Sequence, residues 1–228
     1  MIFTIYDNCK DSFAFNFPFW QHLSKQEQDG FCENISQVYF EKGEHIHSGN
    51  DKCLGVLFVK KGHIRVYMLS DEGREITLFR LFDGETCVFS ASCVLSDITF
   101  DVFIDAEDDT QALLLKSSYF NKLLQDNIYV QNYTYKLTVQ RFSDVMWAMQ
   151  QVLFTSFDKR LAIFLLDELE SSSTDEVKLT HEQIAKYMGS AREVVSRMLK
   201  YFENDGIVKI YRGGVKIIDK EKLRQQAQ

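Results

Sequence analysis

The sequence predicts an α+β protein made of an N-terminal antiparallel β-rich region, one long helix, and a C-terminal unit of two short helices and a β-hairpin. Three observations support this prediction. Glycines separate short β-branched and aromatic segments between residues 37 and 115, a mainly apolar seam at helical spacing follows, and glycine returns only after residue 188. We therefore divide the chain into residues 1–117, 118–155 and 156–228.

The β-rich region is indicated by turn residues at regular intervals. Six glycines between residues 43 and 84 are spaced 6 to 11 residues apart, which is typical of short strands in an antiparallel sandwich or jelly roll. The segments 64–68 and 75–79 are rich in β-branched and aromatic residues, and Ser70 to Gly73 between them predicts a hairpin turn. We interpret the acidic run from Asp105 to Asp109 as a solvated loop.

The long helix is indicated by a change in periodicity after Ser117 and Ser118, which are predicted to cap a helix. The residues that follow form a heptad seam, in which mainly apolar side chains recur at alternating steps of four and three. As a helix, the seam would be about 39 Å long. Its members are Ile128, Asn132, Tyr135, Val139, Phe142, Met146, Met149 and Leu153. We interpret it as a dimerisation helix in which Asn132 sets the register. The alternative is a helix packed wholly against its own sheet. Caps at Thr155 and Ser156 predict a hinge between this helix and the next.

The C-terminal segment predicts a helix-turn-helix followed by a wing. Thr180 and Gln183 form a capping box that opens a short helix, and Gly189 suits the tight turn after it. A second helix is predicted from about Ala191 to Asn204, and a hairpin around residues 212–214 follows. In this arrangement the second helix enters the DNA major groove.

Arg192, Glu193 and Arg197 are the candidate base-reading residues, since they lie in one sector near the start of the second helix. An arginine can donate two hydrogen bonds to guanine, and a carboxylate can accept one from cytosine. The candidate phosphate contacts, which set affinity and register rather than sequence, are Thr180, Ser190, Ser196, Lys200 and Arg212.

Charge supports a nucleic-acid contact at one end of the chain only. The net charge is −7, but the residues from Lys178 onward carry eleven basic against six acidic side chains, or +5, and the preceding 177 residues carry −12. No apolar run approaches the roughly 20 residues of a membrane span, so we expect a cytoplasmic protein without a membrane partner. The five cysteines are odd in number and unclustered. They are expected to be free or buried thiols, with a sulfur-ligated cofactor as the alternative.

These features together resemble the cyclic-AMP receptor protein and fumarate-nitrate regulator (Crp/Fnr) family over nearly the whole chain. The most specific segments are LTHEQIAKYMGSAREVVSRMLKYFENDGIV and KKGHIRVYMLSDEGREITLFRLFDGE. The resemblance implies a cyclic-nucleotide-binding-type β-roll, a homodimer, an inverted repeat of TGTGA-like half-sites, and RNA polymerase as a further partner. Ala191 departs from the hydroxyl residue often found before the arginine, so we expect one phosphate contact fewer than in the family pattern.

The effector site departs from the family pattern. Cyclic-AMP binders carry a Gly-Glu-Leu segment and then an Arg-Ser pair on the phosphate, whereas this chain has Val88-Phe89-Ser90 and, further on, Asp97 and Asp101. Without the arginine, a cyclic phosphate would lose its charge-assisted hydrogen bonds and face carboxylates. We therefore expect no cyclic-AMP response.

The sequence also bears on other signals that the β-rich region could receive. The cysteines do not reproduce the closely spaced N-terminal set of the oxygen-sensing branch, so an iron-sulfur cluster is not expected. Haem stays open, since His45, His47 and His63 lie in the β-rich region. The favoured signal is an unidentified small molecule in a pocket near Val88, Phe89, Ser90 and Cys93. Thiol oxidation at Cys87 and Cys93 is a second possibility.

Two classes of function follow from the sequence. One is a DNA-binding transcriptional regulator, and the other is a ligand-sensing module whose winged helix docks onto a protein partner. The basic C-terminal segment favours the first. An enzyme and a metal site are not expected, because the sequence has no nucleophile elbow, Walker loop, paired metal-ligand motif or Rossmann glycine set.

Overall fold

The structure is a computed structural model in which residues 4–5, 17–48, 54–88, 101–170 and 174–228 are described. Its contacts divide the chain into two compact units. The first consists of residues 1–68 and 78–145, and the second of residues 69–77 and 146–228.

The first unit is built around two antiparallel sheets. Its strands are Thr4–Ile5 (β1), Ile35–Phe40 (β2), His45–His47 (β3), Val56–Lys61 (β4), Ile64–Leu69 (β5), Glu75–Leu81 (β6), Thr86–Cys87 (β7), Phe103–Ala106 (β8) and Thr110–Leu115 (β9). One sheet has the order β1-β2-β9-β4-β7 and the other β3-β8-β5-β6. The ends of β5 and β6, together with the predicted turn between them, belong to the second unit. Ser70 accepts the turn hydrogen bond from the Gly73 amide at 2.9 Å, which confirms the predicted hairpin.

Two apolar clusters stabilise this unit. One is formed by inward-facing residues of both sheets, including Leu57, Val66 and Ile104. The other lies where the first sheet meets the helices, and it contains Phe31 and Val130. These helices are Lys25–Asn34 (α1), Ser117–Asp126 (α2) and Ile128–Phe154 (α3), with a short 3-10 helix at Trp20–His22. Burial in both clusters is nearly complete, as expected for a roll that excludes water between its layers.

Helix α3 spans 27 residues, in close agreement with the predicted seam. One side of it is buried at Val130, Thr134 and Arg141. The other side is exposed and mainly apolar, and towards its C-terminal end it is widened by Trp147 and Phe154, which are 54% and 82% exposed. The helix ends at Phe154 and the next begins at Phe157, which agrees with the predicted break.

The second unit is a three-stranded sheet packed with helices. Its helices are Phe157–Glu170 (α4), His181–Met188 (α5), Arg192–Asn204 (α6) and Lys220–Gln226 (α7), and its strands are Glu176–Val177 (β10), Val208–Tyr211 (β11) and Gly214–Ile217 (β12). The strand order is β10-β12-β11. A core that includes Leu161, Leu165, Ile184, Leu199 and Phe202 holds them together. The predicted α+β architecture of β-roll, long helix and winged helix-turn-helix is confirmed.

Three local predictions are wrong. Helix α2 begins at Ser117, and its N-cap is Lys116, which makes no side-chain capping bond, because the chain leaves β9 directly into the helix. Asp105 lies in β8 opposite Arg65 and not in a loop, since sheet pairing satisfies its backbone. Cys32 is disulfide-bonded, whereas Cys87 is a buried thiol, because a disulfide depends on spatial proximity that residue spacing does not reveal.

No helix among the described residues is both long enough and apolar enough to cross a membrane. Likewise, within the described ranges, no three His, Cys, Asp or Glu side chains lie close enough together to hold a metal ion.

Candidate nucleic-acid interface

The helix-turn-helix is fixed at its start by the predicted capping box. The Thr180 hydroxyl oxygen accepts from the backbone N–H of Gln183 at 3.2 Å, and the Gln183 side-chain oxygen accepts from the backbone N–H of Thr180 at 2.9 Å. After α5, Gly189 adopts a φ of +60°, which a side-chain-bearing residue rarely tolerates. The two helices are thereby joined by a short turn that sets their relative orientation.

Helix α6 has one buried face and one exposed face. Val195, Leu199 and Phe202 have none of their surface exposed, and they pack into the core of the second unit. Arg192, Glu193, Arg197 and Lys200 lie on the exposed face, and Ser196 lies half-buried beside them. Since burial fixes the rotation of the helix, the three predicted base-reading residues face away from the core.

The wing is joined to the end of α6 by a carboxylate. Glu203 accepts a hydrogen bond from the backbone N–H of Ile210 at 2.9 Å and pairs with Lys200 at 2.7 Å. The Lys200 side chain and the Ile210 amide hold the pKa of Glu203 below its usual value. Lys200, a predicted phosphate contact, is thus already paired. Arg212 lies exposed in the turn of the wing, where Gly213 has a φ of +94°.

A cleft of about 330 Å³ lies between the start of α5, the start of α6 and the wing. It brings together two predicted site residues, Thr180 and Arg192. It is completed by residues that the sequence analysis did not select, which are His181, Glu182, Ile210, Tyr211, Gly213 and Gly214. The other predicted DNA contacts do not line this cleft. Ser190 is half-buried at the turn, and Glu193 and Arg197 lie on the exposed face of α6.

The functional candidate that the sequence analysis missed is His181. Its Nδ1 lies 2.8 Å from Ser196 Oγ, so the imidazole joins α5 to the predicted recognition helix. Burial, and secondarily the positive charge of Arg192, lower the pKa of His181. The only sequence signal was its place directly after the N-cap Thr180, which does not reveal a partner fifteen residues away.

The predicted effector region is described only in part. Val88 is 2% exposed and belongs to the same apolar cluster as Phe17 and Phe58. Phe89, Ser90 and Cys93, the other three pocket residues, lie outside the described residues. Among the histidines considered for haem, His45 pairs with Asp105 at 2.6 Å and His63 with Asp108 at 2.8 Å, and His47 is buried.

Two polar contacts connect the strand before Val88 to helix α3. The hydroxyl groups of Thr86 and Tyr133 are 2.8 Å apart, and Arg141 donates to Glu85 at 3.1 Å. Arg141 is 5% exposed and also pairs with Asp144 at 2.9 Å. Residues 85 and 86, where β7 begins, are therefore hydrogen-bonded directly to α3.

The comparisons with known proteins agree with this geometry. The family model for the cyclic nucleotide-binding domain matches residues 37–127, and that for the Crp-like helix-turn-helix domain matches residues 159–226. A crystal structure from Eubacterium rectale, assigned to the Crp/Fnr family of transcriptional regulators, is 45% identical, with a TM-score of 0.90, and the match covers 93% of this chain and 98% of that one. The chain belongs to the Crp/Fnr family.

More distant members of the Crp/Fnr family differ in the signals that their names state. The chain is 23% identical to the cyclic AMP receptor protein of Thermus thermophilus, over 92% of this chain and 96% of the relative. It is 24% identical to the global nitrogen regulator of Synechococcus elongatus, over 82% of this chain and 87% of the relative. The first is named as a receptor and the second as a regulator.

Replacing Thr180 with alanine removes the two hydroxyl hydrogen bonds to Gln183, one accepted from its backbone N–H and one donated to its side-chain oxygen. We expect the free energy of unfolding of the second unit to fall by about 1 kcal/mol, within the range measured for N-caps. Thr180→Ser keeps the hydroxyl and serves as the matched control. Urea denaturation followed by circular dichroism measures the difference, and equal midpoints for the alanine and serine variants would contradict it.

Proposed function

We propose that this chain is a homodimeric transcriptional regulator that binds an inverted repeat of TGTGA-like half-sites. Its signal is a small molecule other than cyclic AMP, or a redox change, received in the β-roll. The observation that carries the DNA-binding part is the exposed sector of α6, where Arg192, Glu193 and Arg197 are held outward by the buried face of the same helix.

The composition of this sector favours base recognition over a simple attraction to phosphate. Arg192 and Glu193 occupy the first turn of α6, the part of a recognition helix that approaches base edges. A carboxylate near phosphates raises the electrostatic energy unless it accepts a hydrogen bond from a base such as cytosine. The pairing of two arginines with one glutamate is therefore understandable if all three contact base edges.

The homodimer is supported by the exposed side of α3. The seven apolar seam residues are each between 45% and 71% exposed in the single chain. Asn132, the polar member, is exposed as well. Since the opposite side of α3 already packs on the β-roll through Val130 and Thr134, the exposed seam is free to pair with a second copy. A stripe repeating at steps of three and four suits a coiled-coil partner.

The signal reaches α3, in this proposal, through the two contacts that Glu85 and Thr86 make with it. They precede the predicted effector residues by only a few positions. A ligand that displaces this strand would change the energies of the Arg141 and Tyr133 contacts and shift the dimer between two states. RNA polymerase is a further partner that we propose from family membership alone.

Arg192→Ala and Arg197→Ala are each expected to relax base specificity by roughly 1 to 3 kcal/mol per half-site. A selection from a random duplex library at low ionic strength first shows whether the wild type binds any duplex. Fluorescence anisotropy then compares the affinities of the wild type and the variants for the TGTGA inverted repeat and for a scrambled duplex. Arg224→Ala, an exposed arginine on α7 paired with Glu221, is the matched control. Failure of the wild type to bind any duplex saturably, or capture of a protein partner by the same helix face, would favour the docking alternative.

Phe142→Glu is expected to convert the dimer to a monomer, because it inserts a charge at the centre of the seam in both copies. Gln140→Glu, an exposed position on the same helix, adds the same charge outside the seam and should leave the dimer intact. Sedimentation velocity measures the outcome. A monomeric wild type, or a Phe142→Glu variant that remains dimeric, contradicts the proposed seam.

The absence of the family's Arg-Ser pair from this sequence predicts no cyclic-AMP response. Isothermal titration calorimetry with cyclic AMP should register no binding in the micromolar range. The cyclic AMP receptor protein of Thermus thermophilus, under the same conditions, is the positive control. Micromolar affinity for this chain would overturn the prediction.

A further inference from the structure

The two ring nitrogens of His181 have different surroundings at the cleft. Its imidazole borders the cleft between the two helices and the wing, and its Nδ1 is held by Ser196 at 2.8 Å. Among the described residues, its Nε2 has no hydrogen-bond partner. The ring is thus oriented by one nitrogen and has the other available to a ligand.

The cleft is chemically suited to a phosphodiester. Arg192 supplies a positive charge at its edge, and Gly213 leaves the turn of the wing open to close approach, since no neighbouring atom lies within 4 Å of the place that a side chain would occupy. His181 lines the cleft and can donate hydrogen bonds, and the Ser196 hydroxyl lies next to it at Nδ1. All of these groups lie beside the exposed face of α6, so a backbone phosphate of bound DNA would be the anion nearest to them.

We propose that His181 is a proton-linked DNA contact, an inference that rests on the proposed DNA-binding function. In the free protein the imidazole is neutral, and on DNA it takes up one proton from solvent. The imidazolium then donates from Nδ1 to Ser196 Oγ and from Nε2 to a phosphate oxygen beside Arg192. Ser196 becomes an acceptor in this arrangement, which releases its hydroxyl hydrogen to donate to the same phosphate.

The titratable groups near His181 come from α5, α6, β10 and β11. Glu182 on α5, Arg192 on α6 and Tyr211 on β11 border the cleft with it, and Glu176 on β10 accepts from the Tyr211 hydroxyl at 3.4 Å. Burial and Glu176 raise the pKa of Tyr211, so the phenol stays neutral. Histidine is the side chain whose charge ordinarily changes between pH 5 and 8.

Folding and DNA binding respond to this proton with opposite signs. Because burial and Arg192 lower the pKa of His181 in the folded chain, the unfolded chain binds the proton more readily. Stability is therefore lost as the pH falls through the ordinary histidine pKa of about 6.5. A phosphate in the cleft opposes both effects and favours the charged ring, so DNA affinity should rise over the same interval.

The test is the affinity of the full chain for a duplex of about 30 base pairs carrying the TGTGA inverted repeat. Fluorescence anisotropy is measured at pH 8.0 and pH 6.0, in phosphate-free buffer over a range of salt concentrations. Affinity of the wild-type dimer should increase about fivefold at the lower pH, within the limit of tenfold per pH unit that each protomer's proton allows. The slope of log affinity against log salt should steepen by about 1.8, because each of the two protomers adds one phosphate contact worth about 0.9.

Two variants that cannot titrate each keep one of the two polar positions of the imidazole ring. His181→Asn reproduces the position of Nδ1 and its bond to Ser196, and His181→Gln places an amide near the position of Nε2. Both should lose the pH-dependent change in affinity and in salt slope, with less than about a twofold residual change. His45→Asn replaces an imidazole that pairs with Asp105 in the β-roll, and it should behave as the wild type.

The outcomes distinguish the inference from the function on which it rests. If the wild type binds the duplex and His181→Asn keeps the full pH and salt dependence, the proton link through His181 is wrong while DNA binding stands. If no duplex binds saturably at either pH, the proposed function itself is wrong. Loss of the dependence in both variants, with its retention in His45→Asn, supports the inference even if one variant is less stable.

Discussion

Burial of one face of α6 is the constraint on which the interface depends. Val195, Leu199 and Phe202 are completely enclosed by the core of the second unit, so the helix cannot rotate without exposing them to water, at about 1.5 to 3 kcal/mol for each large apolar side chain. The orientation of Arg192 and Arg197 is a consequence of this packing. The capping box of Thr180 and the turn at Gly189 then hold α5 against the same core.

Helix α3 has one side packed in the protein and one apolar side in water. Its buried side is held to the β-roll by Val130 and by the polar contacts of Tyr133 and Arg141, while its exposed side carries an apolar stripe. An isolated chain leaves this stripe in water, at an energetic cost that association with a second copy would remove. One helix thus contacts the sensory sheet and is also available to a dimer partner.

The wing and the two helices form a single cleft because polar contacts cross between them. Glu203 joins the end of α6 to β11, and His181 joins the start of α5 to the middle of α6. The cost of partly burying the imidazole is offset by its hydrogen bond to Ser196, but the charged form is disfavoured until an anion is present. Partial burial therefore keeps the ring neutral in the free protein, and a phosphate in the cleft would raise its pKa again.

The sequence alone determined the features that depend on periodicity and on near neighbours in the chain. The Thr180–Gln183 capping box, the 128–153 seam and the outward sector of α6 all involve spacings of one to five residues, for which helix geometry dictates the relative positions. Only the tertiary structure decided which distant groups meet. The bonds from His181 to Ser196 and from Arg141 to Glu85, the pairing of Asp105 within β8 and the disulfide of Cys32 all depend on how the chain returns on itself. No local pattern encodes those distances, because they are set by the packing of the whole core.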